Sequence, residues 1–346
     1  MDADELVARA HVVALPLRER FRGIDVREAL LLDLGDRWLE WSPFPEYDDP
    51  EASGWLGPFD SPSARSGNQP PGSLSERSES KGVRVNATIP AVPAEEVANV
   101  LARFPGCRTA KVKVAQAGQS LADDLARVAA VREHLGPLGR IRVDANAAWS
   151  LDDAVPALLA LARYDLQYAE QPVASVDDLA RLRERVHPLV PIAADESIRK
   201  PGDPLAVARA GAADVIVLKM QPLGGPARAL EIAERARDAS RVPVRFVTSS
   251  ALETSVGLAA AARFAATIDA WQPGADLDHG LGTAALLAAD VTSAPLLPLD
   301  GRIPLREVAP DPELLARHAA APDRRDWWLA RLRRCASIRF QGIRGV

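Results

Sequence analysis

The chain has 346 residues, 47% hydrophobic and 26% charged, an ordinary globular composition with room for one barrel-sized domain and a smaller one. A net charge of -5 with no basic stripe excludes a nucleic-acid footprint, and no run approaches ~18 apolar residues free of charge, so no membrane partner is expected. Two cysteines, Cys107 and Cys335, give neither a disulfide framework nor a zinc spacing, and the acidic start lacks the character of a secretory signal, so a cytoplasmic protein with free thiols is expected.

Residues 10–18 read as a strand and 17–23 as a charged loop. Apolar runs at 28–34 and 37–42, joined by Gly35-Asp36, form a two-residue hairpin signal. Such a meander suggests a small α+β domain over residues 1–82. Within it, residues 60–80 are rich in Ser, Pro and Gly and have little to bury, so a mobile loop is expected.

After Gly82, short β-branched runs alternate with Ala- and Leu-rich helical stretches. The expected strands are 83–89, 107–114, 141–146, 166–171, 191–196, 215–220, 244–249 and 268–272. The expected helices include 121–135, 151–163, 176–186, 205–210, 226–239 and 255–264. Eight strands in alternation with helices are the signature of a (β/α)8-type barrel, here over residues 83–295. A doubly wound sheet is the runner-up, but no G-x-G-x-x-G follows the first strand. Beyond Pro295 the alternation stops, and 309–332 reads as helix interrupted by Pro310, Pro312 and Pro322. Trp327 and Trp328 are expected there as packing anchors, with segment 296–346 folded back on the first domain.

A barrel of this kind builds its site at the C-terminal strand ends. The polar residues closing successive strands are Lys111 and Lys113, then Asp144, Glu170, Asp195 and Lys219. From Asp144 the steps are 26, 25 and 24 residues, one βα unit each. The lysine doublet falls on one face of its strand, roughly 6–7 Å apart at ~3.3 Å rise per residue. Taken alone, it is better explained by two solvated charges. Yet only five lysines occur among 42 basic residues, and lysine, unlike arginine, can act as a base once its pKa is depressed by a like charge. Three in-phase carboxylates without histidine or cysteine suit Mg2+, with Mn2+ as the other candidate.

In these features the chain resembles the enolase superfamily, muconate-lactonising branch, and within it the o-succinylbenzoate synthases of menaquinone biosynthesis. The residues that carry the resemblance are Lys111-Val112-Lys113, Asp144-Ala145-Asn146, Ala169-Glu170-Gln171-Pro172, Asp195-Glu196-Ser197 and Lys219-Met220, with Asn86, Ser249 to Ser255 and Asp278 to Thr283 in support. The resemblance implies a (β/α)7β TIM-like barrel, with an α+β capping domain formed by the N-terminal segment and the C-terminal tail. It implies that Lys113 is the base, Lys111 its tuner, Lys219 a cation facing the ring, and Asp144, Glu170 and Asp195 the Mg2+ ligands. Asn146, Ser249, Ser250, Gly280 and Arg22 would contact a small-molecule carboxylate substrate, and a lone His279 in a turn is read as structural. The implied reaction is a dehydratase step, with N-acylamino acid racemase, dipeptide epimerase and muconate cycloisomerase as alternatives at the same site. A Schiff-base barrel using Lys219 and a non-catalytic binding scaffold are the readings from other classes. Oligomeric state is left open, a monomer being compatible with the sequence.

Overall fold

The computed structural model describes residues 2–57, 82–199 and 202–344. The segment 60–80, expected to be a loop, lies outside the described residues. The chain opens with an antiparallel sheet of β1 (Ala10–Phe21), β2 (Ile24–Asp33) and β3 (Trp38–Trp41). The segment 17–23, expected as a charged loop, is instead mostly the end of β1 and the tip of its hairpin with β2. Arg22 and Gly23 both take positive φ, 51° and 79°, which gives a two-residue turn the right-handed twist of a hairpin. The alternating charges were misleading because this ribbon keeps one side in water. The second turn carries Gly35 at φ 89°, with its N–H donated to Asp33 Oδ1 at 2.8 Å.

The later strands are β4 (Val83–Arg84), β5 (Ala87–Ile89), β6 (Thr109–Lys113), β7 (Arg140–Asp144), β8 (Leu166–Glu170), β9 (Ile192–Ala194), β10 (Val215–Leu218), β11 (Arg245–Thr248) and β12 (Arg302–Ile303). Strands β5 to β11 form one parallel sheet in chain order, with helices between them. Their near-continuous apolar burial is that of strands covered on both faces. Ser120, Ser150 and Ser175 each accept the backbone N–H three residues on, and so start the helices Leu121–Leu135, Leu151–Leu161 and Val176–Val186.

Two strand expectations need correction. The run 83–89 is split: β4 pairs with β12 outside the barrel sheet, and only β5 belongs to it. The run 268–272 is no strand but the end of the helix Ser255–Trp271, which Thr254 caps and an alanine-rich stretch carries past Phe264. Alanine's helix propensity over that length outweighs the local β-branched pair Thr267-Ile268. The eighth position is taken by residues 278–280. His279 exchanges backbone hydrogen bonds with Arg84 and Asn86, both 2.9 Å, while Gly280 donates to Thr248 O at 2.8 Å and accepts from Ser250 N at 3.0 Å. This short segment closes the ring between β11 and β5. A Cβ at Gly280 would stand 2.5 Å from Ser249 Oγ, so the close approach requires glycine.

The C-terminal part forms the helices Pro312–Arg317 and Pro322–Arg344. Pro312 and Pro322 begin helices rather than interrupt one, since the first helical position needs no N–H donor. Trp328 is fully buried, meets Trp41 edge-on with centroids 5.6 Å apart, and donates Nε1 to Glu28 Oε2 at 2.9 Å. Buried Arg331 donates to Phe44 O on the same side. The C-terminal helix is thereby docked on the N-terminal sheet.

That sheet is joined to the barrel by two buried charges. Arg27 on β2 donates to Leu252 O (3.0 Å) and Ala251 O (3.2 Å). Glu40 on β3 accepts from Thr254 N (3.0 Å), Thr254 Oγ1 (2.7 Å) and Gly257 N (3.1 Å), so the first turn of the helix Ser255–Trp271 is satisfied by a carboxylate from the other layer. Burial and then the nearby Glu253 carboxylate push the Glu40 pKa up to about 7, against the pull of Thr254, Ser42 and Arg27. A carboxyl raised in the folded state holds its proton where the unfolded chain has lost it, so its contribution falls as pH rises from the ordinary carboxyl range through 7. Glu40→Gln removes that contribution. Urea unfolding is therefore expected to show the variant gaining on the wild type between about pH 5 and about pH 8. A pH-independent difference would contradict the assignment.

Candidate active site

Inward-facing residues repeat every second position along a strand, and β6 accordingly sends Thr109, Lys111 and Lys113 into the barrel. Lys113, Asp144 and Glu170 are register partners across β6, β7 and β8 and form one layer at the C-terminal strand ends. The layer beneath holds Lys111, Arg142 and Tyr168, where Arg142 lies 4.7 Å over the Tyr168 ring and closes the barrel from below. With the closing segment counted as the eighth position, β6 and β10 are diametrically opposed. Lys113 on β6 thus faces Lys219, which directly follows β10.

One cavity is lined by Lys111, Lys113, Asp144, Asn146, Lys219, Ser249, Ser250 and Gly280 from the barrel, together with Arg22 from the hairpin tip. Glu170 and Asp195 lie just under its floor, 1% and 0% exposed. Lys113 Nζ donates to Asp144 Oδ2 (2.6 Å) and Asn146 Oδ1 (2.5 Å). Lys111 Nζ donates to Glu170 Oε1 (3.0 Å) and lies 3.2 Å from Asp144 Oδ2. Lys219 Nζ donates to Asp195 Oδ2 at 2.6 Å.

The mutual depression expected for the lysine doublet acts on one partner only. Burial, helped by Lys111 and Arg22 and opposed by Asp144, pulls Lys113 below the ordinary lysine value. Burial also acts on Lys111, but Glu170 and Asp144 outweigh it and hold that ammonium above the ordinary value. One lysine is therefore kept charged beside another that gives up its proton more readily.

The three carboxylates were expected to converge on one point. Among the described residues no three acidic, imidazole or thiolate groups close around one ion, because Lys111 stands between Asp144 and Glu170 and Lys219 sits on Asp195. Their chemistry nonetheless fits a hard divalent cation: all are buried oxygen donors on consecutive strands with no softer ligand among them. Burial and then the Asp144 charge hold Glu170 above the ordinary carboxylate value even with Lys111 beside it.

The backbone around the acids is strained. Asn146 and Gln171 take φ of 47° and 38°, in the left-handed region, which marks strand ends held by their surroundings. Gln171 repays this by accepting from Asp195 N (3.0 Å) and Ser197 N (3.2 Å), fixing the turn that carries Asp195. His279 is buried, accepts Thr248 N at Nδ1 (3.0 Å) and meets Asp269 at Nε2 (3.1 Å), so its ring pins the closing segment.

Phe21, Phe44 and Thr88 line the cavity with no local sequence signal, the first two from the N-terminal layer, while Ala251, Leu252 and Thr283, which complete the wall, lie in the two segments that supported the resemblance. Arg199, by contrast, had a readable signal, lying four residues after Asp195 on the short helix Glu196–Arg199 and thus on the same side of it.

A family model described as enolase C-terminal domain-like matches residues 94–310, and one described as enolase N-terminal domain-like matches residues 12–58. The chain is 50% identical over 339 residues to the o-succinylbenzoate synthase of Mycolicibacterium smegmatis, covering 97% of each. It is 48% identical to the o-succinylbenzoate synthase of Mycobacterium tuberculosis, covering 97% of this chain and 96% of that one. Among solved structures it is similar to a muconate lactonizing enzyme from Pseudomonas fluorescens complexed with muconolactone, with TM-score 0.71 and 21% identity over 90% of this chain and 98% of that one. A dipeptide epimerase from Enterococcus faecalis gives TM-score 0.64 and 22% identity over 87% and 97%. At such identities the two structures speak for the fold alone.

Proposed function

The chain belongs to the enolase superfamily, and from that premise we propose that it catalyses the o-succinylbenzoate synthase reaction, the syn-dehydration of 2-succinyl-6-hydroxy-2,4-cyclohexadiene-1-carboxylate to 2-succinylbenzoate. The observation that carries this reading is the 50% identity to a synthase over 97% of both chains. With the activity go a place in menaquinone biosynthesis and a cytoplasmic location.

In this reading Lys113 takes the proton from the carbon bearing the carboxylate. The resulting enediolate carries its negative charge over the carboxylate and ring, and Lys219 faces it from the opposite wall as a fixed cation. Lys113 then returns the proton to the departing hydroxyl on the same face. The carbon–oxygen bond breaks, water leaves and the ring becomes aromatic. Lys111 stays charged, and burial together with the Lys111 field keeps the Lys113 proton loosely held. Asp144, Glu170 and Asp195 would hold Mg2+, which when bound supplies a Lewis acid for the substrate carboxylate. Asn146, Ser249, Ser250, Gly280 and Arg22 would orient the substrate from the walls.

The test is 2-succinylbenzoate formation by the purified chain with and without Mg2+, run beside solvent-deuterium exchange into N-succinyl amino acids. Dehydration that depends on the metal is expected. Exchange without any dehydration would replace this reading with a racemase.

A further inference from the structure

The two lysines that face each other across the cavity are joined by an unbroken chain of side-chain hydrogen bonds. Lys113 Nζ donates to Asn146 Oδ1 (2.5 Å), and Asn146 Nδ2 donates to Glu196 Oε1 (3.2 Å). Arg199 donates from Nη2 to that same Glu196 oxygen (2.8 Å) and from Nε to Asp195 Oδ1 (3.0 Å). Asp195 Oδ2 accepts from Lys219 Nζ (2.6 Å), and the remaining Arg199 nitrogen, Nη1, donates to Tyr47 Oη (2.9 Å) in the N-terminal layer.

From this geometry we infer that Arg199 is a positioning residue: its fork fixes Asp195 through Nε and, from the neighbouring Nη2 through Glu196 and Asn146, aims the Lys113 amine. The inference rests on the synthase reading for the roles of Lys113 and Asp195. Its physical basis is the planar guanidinium, which presents several donors in a fixed arrangement that a lysine amine lacks. The Arg199 side chain is 2% exposed, so its contacts are neither loosened by water nor shared with it. Asn146 needs such a support. Its backbone is in the left-handed region, and its amide orientation is set only by what the amide meets, Lys113 on one side and Glu196 on the other. Glu196 can serve as the link because Arg199 offsets its charge in a buried place. Removing a partner one step outside the reacting groups costs about 10- to 100-fold in metal affinity or activity in comparable sites.

The two arms of the fork can be separated. Glu196→Ala cuts the path to Asn146 and leaves Arg199 on Asp195. It is expected to lower kcat by about tenfold or more, with KM and the Mn2+ dissociation constant within about twofold of wild type. Arg199→Lys reaches one carboxylate at most, and is expected to weaken Mn2+ binding, followed by electron paramagnetic resonance on the full chain, by about tenfold as well as lowering kcat. Urea midpoints are measured for each variant. Wild-type kcat in Glu196→Ala, or losses in both variants that disappear when corrected for the folded fraction, would overturn the inference. Absence of dehydration in the wild type would instead sink the synthase reading, leaving Mn2+ affinity to report on the Asp195 arm.

Discussion

Replacement of Lys113 by alanine is expected to lower kcat for dehydration by about 10⁴-fold, at the upper end of what a positioned acid–base group supplies, because the same amine removes one proton and returns it. The loss should appear without unfolding. Lys111 remains 3.2 Å from Asp144 when Lys113 is gone, so the buried carboxylate keeps a cation. Lys113→Arg separates charge from proton transfer: it keeps a cation beside Asp144 but cannot act as a base near neutral pH. It is expected to be as inactive as the alanine variant. Steady-state kinetics with far-UV circular dichroism as a control would decide, and substantial turnover by Lys113→Arg would mean that Lys113 acts only through its charge.

The second large effect is expected from Glu170→Gln. Glu170 lies under the cavity floor, touched by Lys111 alone among the described lysines, and is one of the three proposed metal ligands. Loss of one hard anionic ligand should weaken Mg2+ by more than the roughly 10- to 100-fold typical of outer partners, and turnover at ordinary Mg2+ should fall with it. Isothermal titration of the metal-stripped chain with Mn2+ measures the affinity directly. EDTA treatment of the wild type should abolish dehydration, and re-addition of Mg2+ should restore it. Unchanged Mn2+ affinity in the variant would remove Glu170 from the ligand set.

The barrel and the chemistry at its strand ends were readable in the sequence for one physical reason. A parallel βα unit of nearly constant length returns the same strand-end position to the same mouth, so Asp144, Glu170, Asp195 and Lys219 announce themselves by spacing. The doublet of Lys111 and Lys113 was readable because strand periodicity places both inside. What escaped is set by distance along the chain. Phe21, Arg22 and Phe44 reach the cavity from the N-terminal layer, and only Arg22 was anticipated, through resemblance. Arg27 and Glu40 meet their partners more than 200 positions away, at Leu252 and Thr254, and no local pattern encodes that. The eighth barrel position was misplaced onto 268–272 because residues 278–280 form one rung of pairing on each side, too short to carry an alternation of their own.

The carboxylate of Glu40 at the start of the helix Ser255–Trp271 bears on how such proteins can be recombined. That helix begins just after the wall residues Ala251 and Leu252, which Arg27 holds from the same sheet. A barrel grafted beneath the N-terminal layer of a distant relative would therefore arrive with an unmet helix start and an unpropped pocket wall, however well its own strands packed. Exchange of the two layers between relatives should succeed only where Arg27, Glu40 and Tyr47 travel as a set with the residues they meet. The unit of inheritance here is the seam between the layers and not either layer alone.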